Sequence, residues 1–219
     1  MKRFIAFTLA ETLIVMGVIG IVSALTLPNL NSSTGDKERV AKVKKIYQNL
    51  NDAFTRAEAV YGPYSDWFIN DSAEGAKAKR IGERMTEFMK LQKSCAMAAG
   101  QGCITGDDDN VTIVYKAITA DGTSIFIKDN GAIRVDIDGP AKGSYTSGID
   151  SFDFDINAEK GFIPSGYDET FSNLIGSSRN LYAATWIIKY DNADYLKFTD
   201  NNGTCPNGTT VTESNPRCK

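Results

Sequence analysis

The chain has 219 residues, a length typical of one domain with a short appendage. Its 24 Lys and Arg residues against 27 Asp and Glu residues give a net charge of −3, which is too balanced to indicate a nucleic-acid-binding protein. The chain contains no histidine, which excludes Ser-His-Asp and Cys-His catalysis and His-ligated zinc.

The first predicted element is an apolar helix near the N-terminus. From Phe7 to Leu27 the only charged side chain is Glu11, and a helix of this length extends about 31 Å, which matches the hydrocarbon core of a bilayer. A cleaved secretory signal competes with this interpretation, because Lys2 and Arg3 precede the apolar run. However, the apolar region of such signals spans only about 7 to 15 residues, which is shorter than the run in this chain. A carboxylate within a membrane segment is costly and indicates a function with a positive partner.

Residues 6–11, AFTLAE, lie behind a basic leader and ahead of this apolar run. They resemble the processing signal of type IV pilins and type II secretion pseudopilins. In that family a prepilin peptidase cleaves before the Phe and N-methylates it, and the Glu pairs with the new amine of a neighbouring subunit. The resemblance implies a leader over 1–6, cleavage between Ala6 and Phe7, N-methylation of Phe7, and a transmembrane or filament-core helix over 7–28 with Glu11 as the assembly residue. The family usually has Gly where this chain has Ala6.

Two features follow the predicted span. Pro28 is predicted to end or kink the helix, and residues 29–35 are predicted to form a loop or a loosened turn. Five basic residues then outnumber Lys2 and Arg3, so the positive-inside rule alone would place the body on the cytoplasmic side. The resemblance and the cysteines instead favour an outward-facing body over 29–219. The five residues are Lys37, Arg39, Lys42, Lys44 and Lys45.

Two further helices are predicted in the body. The first covers residues 36–61, because apolar residues recur there at alternating spacings of three and four up to Gly62-Pro63. They are Val40, Val43, Tyr47, Leu50, Phe54, Ala57 and Tyr61. The second covers residues 73–93, with Ile81, Met85, Phe88 and Met89 inward and Lys77, Lys79, Arg80, Arg84 and Lys90 in water.

The rest of the body is predicted to form an antiparallel sheet between residues 111 and 198. Short β-branched and aromatic runs predict strands, and Ala120-Asp121-Gly122 and Asp129-Asn130-Gly131 predict tight turns between the first three. The strands are predicted at 111–118, 123–128, 132–137, 151–156, 181–190 and 194–198. The predicted fold class is therefore α+β, with a long helix packed on an antiparallel sheet. The resemblance implies that this arrangement is pilin-like, with an N-terminal helix that has a membrane-spanning half and an amphipathic half. The segment from Asp121 to Pro164 also resembles, more loosely, a subgroup of bacterial pseudopilin-like proteins.

Four cysteines allow three disulfide connectivities. The favoured pairs are the close ones, Cys95 with Cys103 and Cys205 with Cys218, and the second would tie down a tail over 199–219. Disulfides are favoured over zinc because no CxxC spacing or histidine is present. They indicate an oxidising location, and a C-terminal disulfide loop also resembles pilins.

Acidic residues concentrate in the middle of the chain, where residues 106–169 contain 13 Asp and Glu against five Lys and Arg. Asp107, Asp108 and Asp109 supply oxygens that suit Ca²⁺, but no EF-hand frame surrounds them, so a solvated acidic surface is favoured over a metal site. A third use is contact between subunits, with the acidic middle of one copy facing the basic helices of the next.

The resemblance implies a non-enzymatic structural subunit, a pilin or pseudopilin of a type IV pilus or type II secretion-type filament. The sequence predicts no cofactor. The implied partners are other pilin-like subunits, the prepilin peptidase, an inner-membrane assembly platform and membrane lipid before assembly. The implied location is the inner membrane as a single-pass protein, then an extracytoplasmic or cell-surface filament.

Alternatives stay open at this point. A DNA-uptake filament has the same N-terminus, and a ligand-binding adhesin at a filament tip is an intermediate interpretation. The competing class is a membrane-anchored extracytoplasmic binding domain or enzyme that does not polymerise. Its candidate acid and base pairs are Asp136 with Asp138 and Asp153 with Asp155, although alternating Asp residues on strands usually form a hydrated face.

Overall fold

The order of helices and strands follows from a computed structural model that describes residues 9–68, 75–96, 113–139, 145–178 and 180–218. The chain divides into two units, Met1–Glu38 and Arg39–Lys219. The helices are α1 (Leu9–Tyr61), α2 (Ala76–Thr86), α3 (Phe171–Ser177) and α4 (Ala183–Tyr190). The strands are β1 (Leu91–Ala96), β2 (Ile113–Thr119), β3 (Ser124–Lys128), β4 (Ile133–Asp136), β5 (Ser151–Asn157) and β6 (Gly161–Pro164). The predicted α+β class with an antiparallel sheet is confirmed.

Helix α1 is assigned over 53 residues without interruption. The predicted end of a helix at Pro28 and the predicted loop over 29–35 are therefore wrong. A proline removes one i→i−4 hydrogen bond, and propagation through a few weak helix formers is favoured when helical segments lie on both sides. The kink at Pro28 stays a prediction.

A separate question is whether any helix crosses a membrane. None of the helices among the described residues is long enough and apolar enough to span a bilayer. The membrane-spanning segment over 7–28 stays a prediction.

The six strands pair with their sequence neighbours in the order β1 to β6, and every pair is antiparallel. The predicted strands corresponding to β2, β3, β4 and β5 are confirmed. Asn130 and Gly131 form the turn between β3 and β4, where Gly131 has φ 92° and the Asn130 Oδ1 accepts a hydrogen bond from the Ala132 amide at 2.9 Å. A left-handed φ favours glycine, which explains the hairpin signal in the sequence.

The part of α1 after Arg39 packs on one face of this sheet. Val43, Leu50, Phe54 and Ala57 are buried there, as the helical spacing predicts. The Tyr47 ring lies 6.2 Å from the Phe154 ring and 5.9 Å from the Phe162 ring, so α1 contacts β5 and β6 through aromatic side chains. Tyr61, predicted inward, is 37% exposed, and its hydroxyl donates to the Glu87 carboxylate.

The predicted helix over 73–93 is wrong in its last seven residues, 87–93. Helix α2 ends at Thr86, and Leu91–Ala96 form β1, which pairs with β2. Ile81 and Met85 are buried as expected. The local apolar pattern of residues 87–93 does not distinguish helix from strand, and pairing with β2, which lies far along the chain, decides the outcome.

The two last predicted strands, 181–190 and 194–198, are also wrong. Residues Ala183–Tyr190 form α4, and Asp194–Lys197 form a 3₁₀ helix. Trp186 explains this conformation, because the helix buries its ring completely against Tyr195 and Phe198, with its Nε1 donating to the Asn192 Oδ1 at 3.0 Å. The last strand is instead β6, which at four residues is too short to carry a strong pattern.

Candidate assembly segment

The first candidate site is the beginning of α1, residues 9–22. Its large apolar side chains are each more than half exposed, on every side of the helix. A helix that is apolar all round is normally buried, either in protein or in a membrane. The exposed fractions run from 54% at Val22 to 79% at Leu9, and the members are Leu9, Leu13, Ile14, Val15, Met16, Val18, Ile19, Ile21 and Val22.

Glu11 lies in the first turn of α1 and is exposed. A carboxylate in this position interacts favourably with the positive end of the helix dipole. The neighbouring Thr12 hydroxyl donates to the Leu9 carbonyl at 2.9 Å, so this polar group has a partner within the helix. Glu11 is the one charged residue in the segment from Leu9 to Val22. The residues predicted for processing, Ala6 and Phe7, lie outside the described residues.

The C-terminal tail contains the disulfide predicted from sequence. Cys205 and Cys218 are bonded with their Cα atoms 5.5 Å apart, which confirms this pair. The Cys218 amide donates to the Asp194 carboxylate at 2.9 Å, and the Thr204 hydroxyl donates to the Asp200 carboxylate at 2.7 Å. These hydrogen bonds give the tail a fixed conformation beyond the disulfide itself.

Two other predicted sites cannot be located. The pair Cys95 and Cys103 and the candidate calcium ligands Asp107, Asp108 and Asp109 lie outside the residues whose side chains the structure describes. Within the described ranges, no group of three or more Cys, Asp or Glu side chains is arranged to hold a metal ion.

Basic residues of α1 pair with acidic residues of the same chain. Lys44 Nζ lies 2.5 Å from the Asp191 carboxylate, and Lys45 Nζ lies 2.8 Å from that of Asp121. Although burial raises it, hydrogen bonds from Lys45 and Thr119 lower the pKa of Asp121 to about 2. Part of the charge complementarity proposed for subunit contacts is therefore used within the monomer.

The predicted hydrated face of alternating Asp residues is wrong at two positions. Asp136 is 1% exposed and Asp153 is 3% exposed. Burial and the neighbouring carboxyl of Asp138 raise the pKa of Asp136 to about 7. Residues 145–147 and 180–181 lie beside Asp153 on this face of the sheet, and local alternation does not reveal such covering.

The sequence also missed the partners of Asp153. Arg134 donates to both of its carboxylate oxygens, at 3.0 and 3.3 Å, and Lys128 Nζ lies 3.8 Å from one of them. The sequence predicts Arg134 and Asp153 on consecutive strands, which indicates that the two side chains could pair. Only the register between β4 and β5 makes them direct cross-strand neighbours.

Comparison with protein-family models, curated proteins and solved structures found no match to this chain.

Proposed function

We propose that this chain is a structural subunit of a pilus-type or pseudopilus-type filament. The observation that carries the proposal is the apolar start of α1, whose side chains are exposed on all sides of the helix between Leu9 and Val22. Covering each such side chain contributes about 1.5 to 3 kcal/mol, so lipid or other helices are expected to surround the segment. The resemblance of residues 6–11 to a prepilin processing signal favours lipid around the segment before assembly and the helices of other subunits around it in the filament.

The mechanism follows from the similar polarity of the two environments. A helix that leaves lipid for a bundle of like helices gains little hydrophobic free energy, so packing and polar contacts decide its register. Glu11 is the polar group available for this purpose. Its carboxylate would pair with the N-terminal amine that cleavage before Phe7 creates on the next subunit, and an ion pair of this kind is strongly sensitive to loss of one partner.

The body supports the same function. Its helix-on-sheet core and the tail closed by Cys205 and Cys218 are compatible with a folded domain on the outside of a filament, where a rigid surface is needed. The two units of the chain then have different tasks, Met1–Glu38 for anchoring and assembly and Arg39–Lys219 for the exposed surface.

The first test is the intact mass of the protein extracted from the membranes of its own host without reductant. We expect a chain that begins at N-methylated Phe7. A chain that keeps Met1 or is cut beyond Leu27 would contradict the filament proposal and favour an anchored or secreted domain.

The second test compares two glutamate variants on the same helix. Glu11→Ala is expected to reach the membrane in normal amounts and to lower the number of filaments by about tenfold or more, since removing one member of a buried ion pair costs about 3 to 5 kcal/mol. Glu38→Ala is the control, because Glu38 is an exposed glutamate of α1 outside the apolar segment. Normal filament numbers in Glu11→Ala would refute the role of Glu11.

A further inference from the structure

A cavity of about 350 Å³ lies on the face of the sheet opposite α1. Its walls come from β4, from the start of β5 with the residues before it, and from the connection between α3 and α4. All of these elements belong to the unit Arg39–Lys219. The volume falls at the lower end of the range for small-molecule sites, which suits a ligand of one or two rings.

The charged groups of the cavity neutralise each other. Arg134 and Asp153 line it and are joined by two hydrogen bonds, at 3.0 and 3.3 Å. Such a bidentate pair has a fixed geometry, and the Asp153 side chain is only 3% exposed. Lys128 contacts the same carboxylate at 3.8 Å. The Arg134 guanidinium is thus already paired with a carboxylate. An anionic ligand would have to compete with Asp153 for it.

The other polar groups of the lining are neutral. They are the hydroxyls of Thr146, Ser147 and Ser151 and the amide of Asn180. Each can both donate and accept hydrogen bonds. Ser151 is 1% exposed, and its Oγ makes no hydrogen bond with the described part of the chain. A buried hydroxyl without a partner is rare in folded proteins and requires an explanation.

An aromatic and an aliphatic side chain complete the lining. The Tyr145 ring packs edge-on against the Phe126 ring, with centroids 5.2 Å apart, which limits its orientations. Leu181 is 45% exposed. A ligand with one apolar face and several hydroxyl groups fits this combination.

We propose that this cavity binds one sugar residue of a neutral glycan. A pyranose has hydroxyl groups that both donate and accept, as the lining groups do, and its C–H face can lie on an aromatic or aliphatic side chain. A purely apolar ligand would displace water from the hydroxyl and amide groups of the lining without replacing its hydrogen bonds. The inference does not depend on the filament proposal, because a tethered domain would present the same cavity.

The test measures binding of methyl glycosides of glucose, galactose, mannose and N-acetylglucosamine to the full chain by saturation-transfer NMR, followed by titration. The protein is kept in an amine-oxide detergent, since glycoside detergents would compete for the site. We expect saturation transfer to at least one of the four. Ser151→Ala and Asn180→Ala are each expected to weaken that binding by about threefold to tenfold, which corresponds to loss of one hydrogen bond.

Ser124→Ala is the matched control. Ser124 is a second buried serine of the sheet whose Oγ has no partner among the described residues, and it lies outside the lining of the cavity. It is expected to leave the dissociation constant unchanged. Absence of binding by all four glycosides, tighter binding of inorganic phosphate than of any glycoside, or equal effects of Ser124→Ala and Ser151→Ala would each overturn the proposal.

Discussion

Replacing Gly82 by Ala brings two physical effects into opposition. Gly82 lies inside α2, where alanine is favoured over glycine by about 1 kcal/mol from helix propensity alone. However, a Cβ atom at this position would lie 2.3 to 2.6 Å from three ring atoms of Tyr115. Side-chain carbons do not approach that closely, so α2 or the ring must move by about 1 Å.

The Tyr115 ring has little freedom to move. It is 2% exposed, and its hydroxyl lies 2.7 Å from the Thr86 Oγ1 and 2.9 Å from the Ser94 Oγ. Overpacking of a core costs about 1 to 3 kcal/mol, and each disrupted hydrogen bond costs about 1 kcal/mol more. After the gain in propensity is subtracted, we expect Gly82→Ala to lower the free energy of unfolding by about 2 kcal/mol.

The assay is urea unfolding of the full chain followed by tryptophan fluorescence, which reports on the body because Trp67 and Trp186 both lie between Arg39 and Lys219. Gly176→Ala in α3 is the control, since a Cβ there meets no atom within 4 Å. That variant is expected to gain about 0.5 to 1 kcal/mol. A Gly82→Ala variant as stable as the original chain would refute the reasoning.

Two further predictions concern the disulfide and a buried carboxyl. Replacing Cys205 and Cys218 together by Ser is expected to lower the free energy of unfolding by about 3 kcal/mol, the loop entropy for a sequence separation of 13, in the same urea assay without reductant; a loss below about 1 kcal/mol would contradict this origin. Because the folded chain holds the pKa of Asp136 at about 7, above its ordinary 3.8, the protonated form contributes stability that is lost as the pH rises from about 4 through 7. Asp136→Asn removes this loss. We expect unfolding curves to favour the variant by about 1 kcal/mol at pH 5, where the unfolded carboxyl is already ionised, and by about 2 kcal/mol at pH 8, roughly half the full linkage value because Asp138 and Asp150 are partly open to water; equal stabilities at pH 8 would show that Asp136 is not the responsible group.

Much of the fold follows from local chemistry in the sequence. The helical spacing from Val43 to Ala57 identifies the face of α1 that the sheet covers, and Asn130-Gly131 identifies a hairpin because its backbone conformation favours these residues. The pair Cys205 and Cys218 could also be predicted, because the two residues are close in sequence and the chain lacks the CxxC spacing and the histidine of a zinc site.

Other elements depended on neighbours far along the chain. Residues Leu91–Ala96 are a strand because β2 pairs with them, and Ala183–Tyr190 are a helix because this conformation buries Trp186 against the core. Short apolar segments have similar local preferences for helix and strand, so tertiary packing decides between them.

The candidate sites divide in the same way. The sequence by itself determined the apolar segment with its one charged residue, Glu11, because a long apolar run can be recognised without knowledge of any tertiary contact. Only the tertiary structure decided that Asp136 and Asp153 are buried, that Arg134 is committed to Asp153, and that a cavity forms beside them. The physical reason is that burial and ion pairing depend on strand register and on the segments that cover a sheet, and neither is set by the residues next to these carboxylates in the chain.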